Sequence, residues 1–222
     1  MQGHVSILSV SPEAAAMIAS GGRISTMDGT ADEIYANSLS AGQEKNEKLI
    51  GKVLSSGHTS VLEHCYVNLS FENVSVLAEQ FQIEFRLASF TVKAGRYVDF
   101  SKAGYVSPVF TANVQMAIFE RTVESLFGTY DVLEAAGVPK EDARFVLPYC
   151  FCSNFFCSMN ARELVHVMNE LAYGRGSRIP ELRALGESLF AQCEQQIPFL
   201  AVRKPEAYRQ SDAFCLRQVQ LL

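Results

Sequence analysis

Side chains that can grip an anion recur in four short stretches of this chain. Gly57-His58-Thr59-Ser60-Val61-Leu62-Glu63-His64 holds two imidazoles, two hydroxyls and a carboxylate. Arg86-Leu87-Ala88-Ser89 and the nearby Gly95-Arg96-Tyr97 add two arginines and a serine. Ala143-Arg144-Phe145-Val146-Leu147-Pro148 contributes one arginine, and Asn160-Ala161-Arg162-Glu163-Leu164-Val165-His166 sets Arg162 and His166 one helical turn apart, where both can reach the same ligand. A guanidinium presents a fixed fork of donors that matches phosphate and carbonyl oxygens. The chemistry on offer is recognition of one phosphorylated small molecule. Each stretch also has a plainer reading. The octet can be a capping loop, with Ser60 and Glu63 as a partial capping box. Arg144 can pair with Glu141 or with helix-end carbonyls. Arg162, His166, Asn169 and Tyr173 can form the polar outer face of an amphipathic helix.

The surrounding periodicities say what positions these groups. His4 to Val10 reads as a first strand, and Ser11-Pro12-Glu13 as a helix start with serine as N-cap and proline at the first helical position. Residues 31–39 and 43–55 read as short helices. From Tyr66 to Glu72 the residues alternate, Val67, Leu69 and Phe71 on one face, which marks a half-buried strand. Val74, Leu77, Ala78, Phe81 and Phe85 then follow helical spacing into Arg86, and the stretch from Ser89 to Arg96 reads as irregular. Met116, Phe119, Val123, Leu126, Tyr130 and Leu133 mark a long helix over 112–136. A short helix is expected over 139–145, a strand over 149–159, a helix over 160–173 with Leu164, Val167, Met168 and Leu171 on one stripe, and a last helix over 180–195. Nothing is read from the tail beyond Phe199.

A chain of 222 residues with 48% hydrophobic content can bury a substantial core. The pattern is that of one α/β domain, residues 1–222. The net charge of −5 argues against a general nucleic-acid surface. No apolar run reaches the length of a membrane span, so no membrane partner is expected. No export signal is seen at the N-terminus, which points to the cytoplasm. Cys150-x-Cys152 followed by Cys157 invites a metal reading, but no second Cys/His pair stands at zinc-ligand spacing. Cys65, Cys150, Cys152, Cys157, Cys193 and Cys215 are read as reduced thiols, those of the apolar 149–158 segment as small buried hydrophobes, and no metal is expected.

In this order the stretches resemble the flavin-dependent thymidylate synthases. That family's signature runs Arg-His-Arg-x-x-Ser-x-Asn-Glu-x-Ser-x-Arg-Tyr, and Arg86, Ser89, Arg96 and Tyr97 match its third arginine, first serine and closing pair. The octet is similar to the family's Gly-His-x-Thr/Ser-x-x-Glu-His, residues 143–148 to its Ala-Arg-x-Val-Leu-Pro, residues 160–162 to its Asn-Ala-Arg helix start, and Glu181-Leu182-Arg183 to its Glu-Ile-Arg. The matched segments span most of residues 5–183. The resemblance implies an α/β, single-domain flavin-dependent thymidylate synthase fold, a mixed sheet with long helices. It implies FAD as cofactor, with NADPH and methylenetetrahydrofolate as co-substrates for reductive methylation of dUMP to dTMP, and a homotetramer whose active sites combine residues of several subunits. Carried over by position, Ser60, Arg86, Asn160, Arg162 and His166 contact the flavin. Arg96 and Ser89 stand at the reacting nucleotide, and Gln80, Gly95, Arg96, Arg144, Arg175 and Arg178 bind it.

The chain departs from the family at named places. Glu84 and Phe85 stand where the signature has Arg-His, Thr91-Val92 where it has Asn-Glu, and Ala94 at its second serine. Leu171 occupies the place of an arginine that polarises the uracil ring, which makes Arg175 and Arg178 its candidate substitutes. Two other functions are therefore compatible with the residues: a diverged paralogue acting on another pyrimidine nucleotide, and a non-catalytic flavin- or nucleotide-binding homologue.

Overall fold

A computed structural model describes residues 3–209. Its strands are β1 (His4–Val10), β2 (Tyr66–Ser75), β3 (Ala88–Val92) and β4 (Cys152–Asn160), and they form one four-stranded sheet in the order β1-β2-β4-β3. Its helices are α1 (Ala14–Ile24), α2 (Ala31–Ala41), α3 (Gln43–Ser55), α4 (Val76–Ile83), α5 (Asn113–Ala135), α6 (Lys140–Ala143), α7 (Ala161–Ala172), α8 (Pro180–Gln196) and α9 (Pro205–Tyr208). Short 3₁₀ turns cover Thr59–His64, Arg144–Val146, Arg175–Arg178 and Pro198–Leu200. The α/β class with long helices is borne out. Side-chain pairs place Asn68 beside Ser9 and His4 beside Glu72, and then Asn68 beside Ser158 and Asn73 beside Asn154, so the β1–β2 and β2–β4 pairings are antiparallel.

The residues group into two compact units, and each takes part of every strand. The first comprises, among the described residues, 3–5, 70–84 and 90–156. Ser75 starts α4 by accepting a hydrogen bond from the Ala78 N–H at 3.1 Å, which satisfies one of the orphan donors of a helix start. One core cluster of this unit is Phe100, Tyr130, Ala143 and Leu147. Of the stripe that predicts α5, only Val123 and Tyr130 are buried; Met116 is exposed. The stretch expected to be irregular from Ser89 onwards is instead strand as far as Val92, with its residues in this unit starting at Phe90. Phe90 packs on Phe155 and the Lys93 N–H reaches the Asn154 carbonyl at 3.3 Å, so sheet pairing supplies the order that helical periodicity does not report.

The second unit comprises, among the described residues, 6–69, 85–89 and 157–209. Arg23 ties its first three helices together, donating to Ser38 Oγ at 2.6 Å and to Asn46 Oδ1 at 2.8 Å. Leu164, Val167, Met168 and Leu171 are fully buried, as their spacing predicts. Asn169 is a correction: expected on the polar face of α7, it is wholly buried. Ser11 is another. It does not cap α1, which begins at Ala14 behind Glu13; its backbone and hydroxyl instead pair with Tyr66 at 2.9 Å. Cys157 and Cys193 are buried, and burial, with a smaller contribution from Glu163 and Glu194 respectively, pushes each thiol pKa up to about 12. Cys152 is buried and Cys150 half-buried, while Cys215 lies outside the described residues.

Candidate functional site

In the second unit two of the four anion-gripping stretches are stitched together. Arg162 Nη1 donates to Glu63 Oε1 at 2.5 Å, and the Ala161 N–H donates to the Cys65 carbonyl at 2.8 Å. Asn160 caps α7 as its type predicts, its Oδ1 accepting from the Glu163 N–H at 2.9 Å. The capping-box reading of the octet is not realised: the 3₁₀ turn starts at Thr59 without a side-chain cap, and Glu63 turns to Arg162. Ser60 and Arg162 remain exposed at the surface. A cavity of about 500 Å³ opens beside Ser60, lined among others by Gly21, Gly22, Lys52, Ser56 and His58. Its polar lining is serine and threonine hydroxyls with Lys52 and His58, and the Ser25, Thr26 and Ser56 hydroxyls already donate to the backbone carbonyls of Gly22, Arg23 and Lys52.

His166, one turn along α7 from Arg162, is half-buried. Phe85 stands edge-on to its ring at 5.5 Å between centroids, and Tyr208 Oη lies 2.9 Å from Nδ1. Arg86 and Ser89 are exposed at the turn and strand that follow Phe85. Farther along, Arg175 is drawn to Glu170, with its N–H at 3.0 Å from Oε2 and its Nε at 3.8 Å. The turn can lie this close only because residue 174 is glycine; a Cβ there would sit 2.9 Å from the Glu170 Cα. Arg178 is exposed at the end of the same turn. Leu171 is entirely within the core, so its position offers no polar group to a ligand.

In the first unit Gly95 and Arg144 come together: a Cβ at residue 95 would lie 2.7 Å from Arg144 Nη1. Arg144 Nε also donates to the Glu141 carbonyl at 3.2 Å, which realises the helix-end reading of that arginine alongside the contact with Gly95. Arg96 is exposed, its guanidinium 5.6 Å from the Tyr97 ring centroid. Gln80 is exposed and donates to Glu79 Oε1 at 3.3 Å; the other Glu79 oxygen accepts from Ser153 Oγ. Gln82 was not singled out by sequence, yet its side-chain amide is buried with no hydrogen-bond partner on either atom. Tyr208 was missed as well, because it lies in a tail whose composition carries no period.

Residues 6–199 match the family model described as thymidylate synthase complementing protein. The chain is 30% identical over 209 residues to a flavin-dependent thymidylate synthase of Nitratidesulfovibrio vulgaris, covering 89% of this chain and 84% of that one. It is 33% identical over 166 residues to a flavin-dependent thymidylate synthase of Geobacter sulfurreducens, covering 73% and 70%. Among solved structures it is similar in fold to the UMP/dUMP methylase PolB of Streptomyces cacaoi bound with 5-Br dUMP, with a TM-score of 0.72 at 20% identity over 90% of this chain and 93% of that one.

Proposed function

The chain belongs to the thymidylate synthase complementing protein family, and from that premise we propose that it is a flavin-dependent thymidylate synthase converting dUMP to dTMP. Methylenetetrahydrofolate gives its one-carbon unit to uracil C5, NADPH gives a hydride that completes the methyl group, and C5 loses a proton. Tetrahydrofolate and NADP⁺ leave as the other products. FAD, when bound, relays the reducing equivalents between NADPH and the transferred carbon.

The donor set of the second unit fits a flavin dinucleotide. The Ser60 hydroxyl, the Lys52 ammonium and the Arg162 guanidinium suit phosphate and ring-carbonyl oxygens, and the octet's carboxylate is already neutralised by Arg162. We assign Ser60, Arg86, Asn160, Arg162 and His166 to holding it. Arg144 and Arg96 hold the nucleotide by charge, assisted by Gln80, Gly95, Arg175 and Arg178. Ser89 and Arg96 stand at the reacting base, where donors aimed at developing charge lower the barrier most. The protein acts in the cytoplasm as a homotetramer.

The observation that carries this reading is the Glu63–Arg162 pair, which joins two family-like segments distant in sequence into one donor surface. Tritium release from [5-³H]dUMP, dependent on methylenetetrahydrofolate and NADPH, tests it. Release no higher than with an Arg162→Ala, Arg96→Ala double variant overturns it.

A second reading, methylation of another pyrimidine nucleotide, is favoured by Leu171, whose burial removes the family's activating arginine from that position. The same assay with [5-³H]UMP beside dUMP separates the two. A protein that binds reducible flavin and releases tritium from neither nucleotide is a binding homologue.

A further inference from the structure

The chain beyond α8 is strapped to α7 at several points before it reaches His166. Asn169 grips it with both ends of its amide: Nδ2 donates to the Val202 carbonyl at 2.8 Å, and Oδ1 accepts from the Lys204 N–H at 2.7 Å. Between those two residues Arg203 bonds Glu187 at 2.7 Å, Tyr173 at 2.7 Å and Glu194 at 3.1 Å, with its guanidinium 4.2 Å from the Phe190 ring centroid. Burial works against that charge, yet these bonds hold the Arg203 pKa above its ordinary range. The short helix α9 then carries Tyr208 to His166, one turn of α7 before Asn169. A tail that only terminated the fold would not need an aromatic hydroxyl delivered to an imidazole.

We propose that Tyr208 is a positioning residue for His166, its hydroxyl donating to Nδ1 so that the imidazole presents Nε2–H as a donor to the flavin; this rests on the flavin reading of the site given above. Imidazole carries one proton when neutral, and the bond made by one ring nitrogen selects the tautomer of the other. Phe85 closes the edge of the ring and removes rotational freedom, so the tautomer and the direction of Nε2–H are set together. Burial, with the Glu170 and Glu163 carboxylates adding to it, raises the Tyr208 pKa, and the phenol keeps the proton it donates.

The test is FAD titration by flavin fluorescence against the full chain and its Tyr208→Phe, His166→Gln and doubly substituted variants. Tyr208→Phe raises the Kd for FAD about fivefold, the scale of one neutral hydrogen bond, and adds nothing in the His166→Gln background. An unchanged Kd, or the same loss in both backgrounds, overturns the proposal, because a structural strap would act independently of residue 166. Nitrogen-15 spectra of the imidazoles, with His166 assigned from its variant, give a readout that needs no flavin. The Nε2–H tautomer in the unsubstituted protein, lost in Tyr208→Phe, supports the pairing, and an Nδ1–H tautomer overturns it. If the unsubstituted protein takes up no FAD, the flavin reading itself fails, and a Tyr208-dependent tautomer would show that failure to be separate from the positioning of His166.

Discussion

Gly95 and Arg144 lie in such close contact that a Cβ on residue 95 would fall 2.7 Å from Nη1 and 2.8 Å from Cδ of the arginine. Gly95 is absent from the positive-φ residues, so what the position demands is the missing side chain rather than unusual backbone freedom. Phe100, at 3.2 Å from the same Cβ, closes the other side. The arginine that can hold a nucleotide phosphate is therefore aimed by a glycine nearly fifty residues away.

Gly95→Ala displaces a flexible guanidinium more readily than it displaces backbone. It costs the fold about 1 kcal/mol or less, while the affinity for dUMP falls about tenfold because a charge-assisted contact is mis-aimed. Isothermal titration of the variant with dUMP, beside its thermal midpoint, checks both numbers. Unchanged affinity would show that Arg144 does not act from the position Gly95 gives it.

Arg162 and Glu63 are both substantially exposed, with 51% and 44% of their side chains accessible, so their pair adds little to stability. Its role is to fix the direction of a guanidinium. Arg162→Ala changes the unfolding free energy by about 1 kcal/mol or less and weakens FAD binding by roughly ten- to a hundredfold, the range of a hydrogen bond to a charged group. Arg162→Lys restores only part, since an ammonium lacks the fork that can serve Glu63 and a ligand together. Full recovery in the lysine variant would reduce the site to simple charge.

Most of the fold was legible because the apolar residues keep strict time. The alternation of Val67, Leu69 and Phe71 and the α7 stripe from Leu164 to Leu171 are buried as their periods require. Ser11 and Asn169 were misread because short polar side chains bond whatever backbone the tertiary structure brings near, and sequence does not say which. The assembly of the site was legible in its types and not in its pairings. Arg162 and Glu63 were each singled out, but nothing local says they bond across 99 residues. Tyr208 left no trace, since one aromatic in an aperiodic tail has no pattern to belong to.

Gln82 carries two buried amide atoms without a partner, and leaving such groups unsatisfied costs about 1–3 kcal/mol. Gln82→Met keeps the volume and removes both groups. The substitution stabilises the protein by about 1–2 kcal/mol and raises its Tm by several degrees, as scanning calorimetry in the absence of ligands will show. A lower Tm would mean that the amide is engaged.

The thiols of Cys157 and Cys193 have pKa values near 12 in the folded chain against an ordinary 9.0. The folded state thus holds these protons more tightly than the unfolded state does. Their contribution is complete below pH 9 and is lost as pH rises towards 12, at up to about 1.4 kcal/mol per pH unit for each thiol. Urea unfolding under reducing conditions at pH 8 and pH 10.5 measures the loss, and Cys157→Ala should remove roughly half of it. A pH-independent difference between that variant and the unsubstituted chain would contradict the assignment.

Leu171 is fully buried beneath the turn that carries Arg175 and Arg178, and Gly176 lets that turn approach so closely that a Cβ there would lie 3.0 Å from the Leu171 Cα. A cation needed near the base cannot come from residue 171 without breaking the core. Leu171→Arg buries an unpaired charge and destabilises the fold by more than about 4 kcal/mol, which denaturant titration will register as loss of the folded baseline or of most of the midpoint. The turn beside Leu171 carries two arginines that can be tested in its place. Arg175 lies against Glu170 and Arg178 ends the turn at its exposed end, and Arg175→Ala and Arg178→Ala are each expected to lower dUMP affinity about tenfold. FAD binding should stay within about twofold in both, which separates loss of a nucleotide contact from damage to the fold. If neither variant changes dUMP affinity, the turn plays no part in holding the nucleotide.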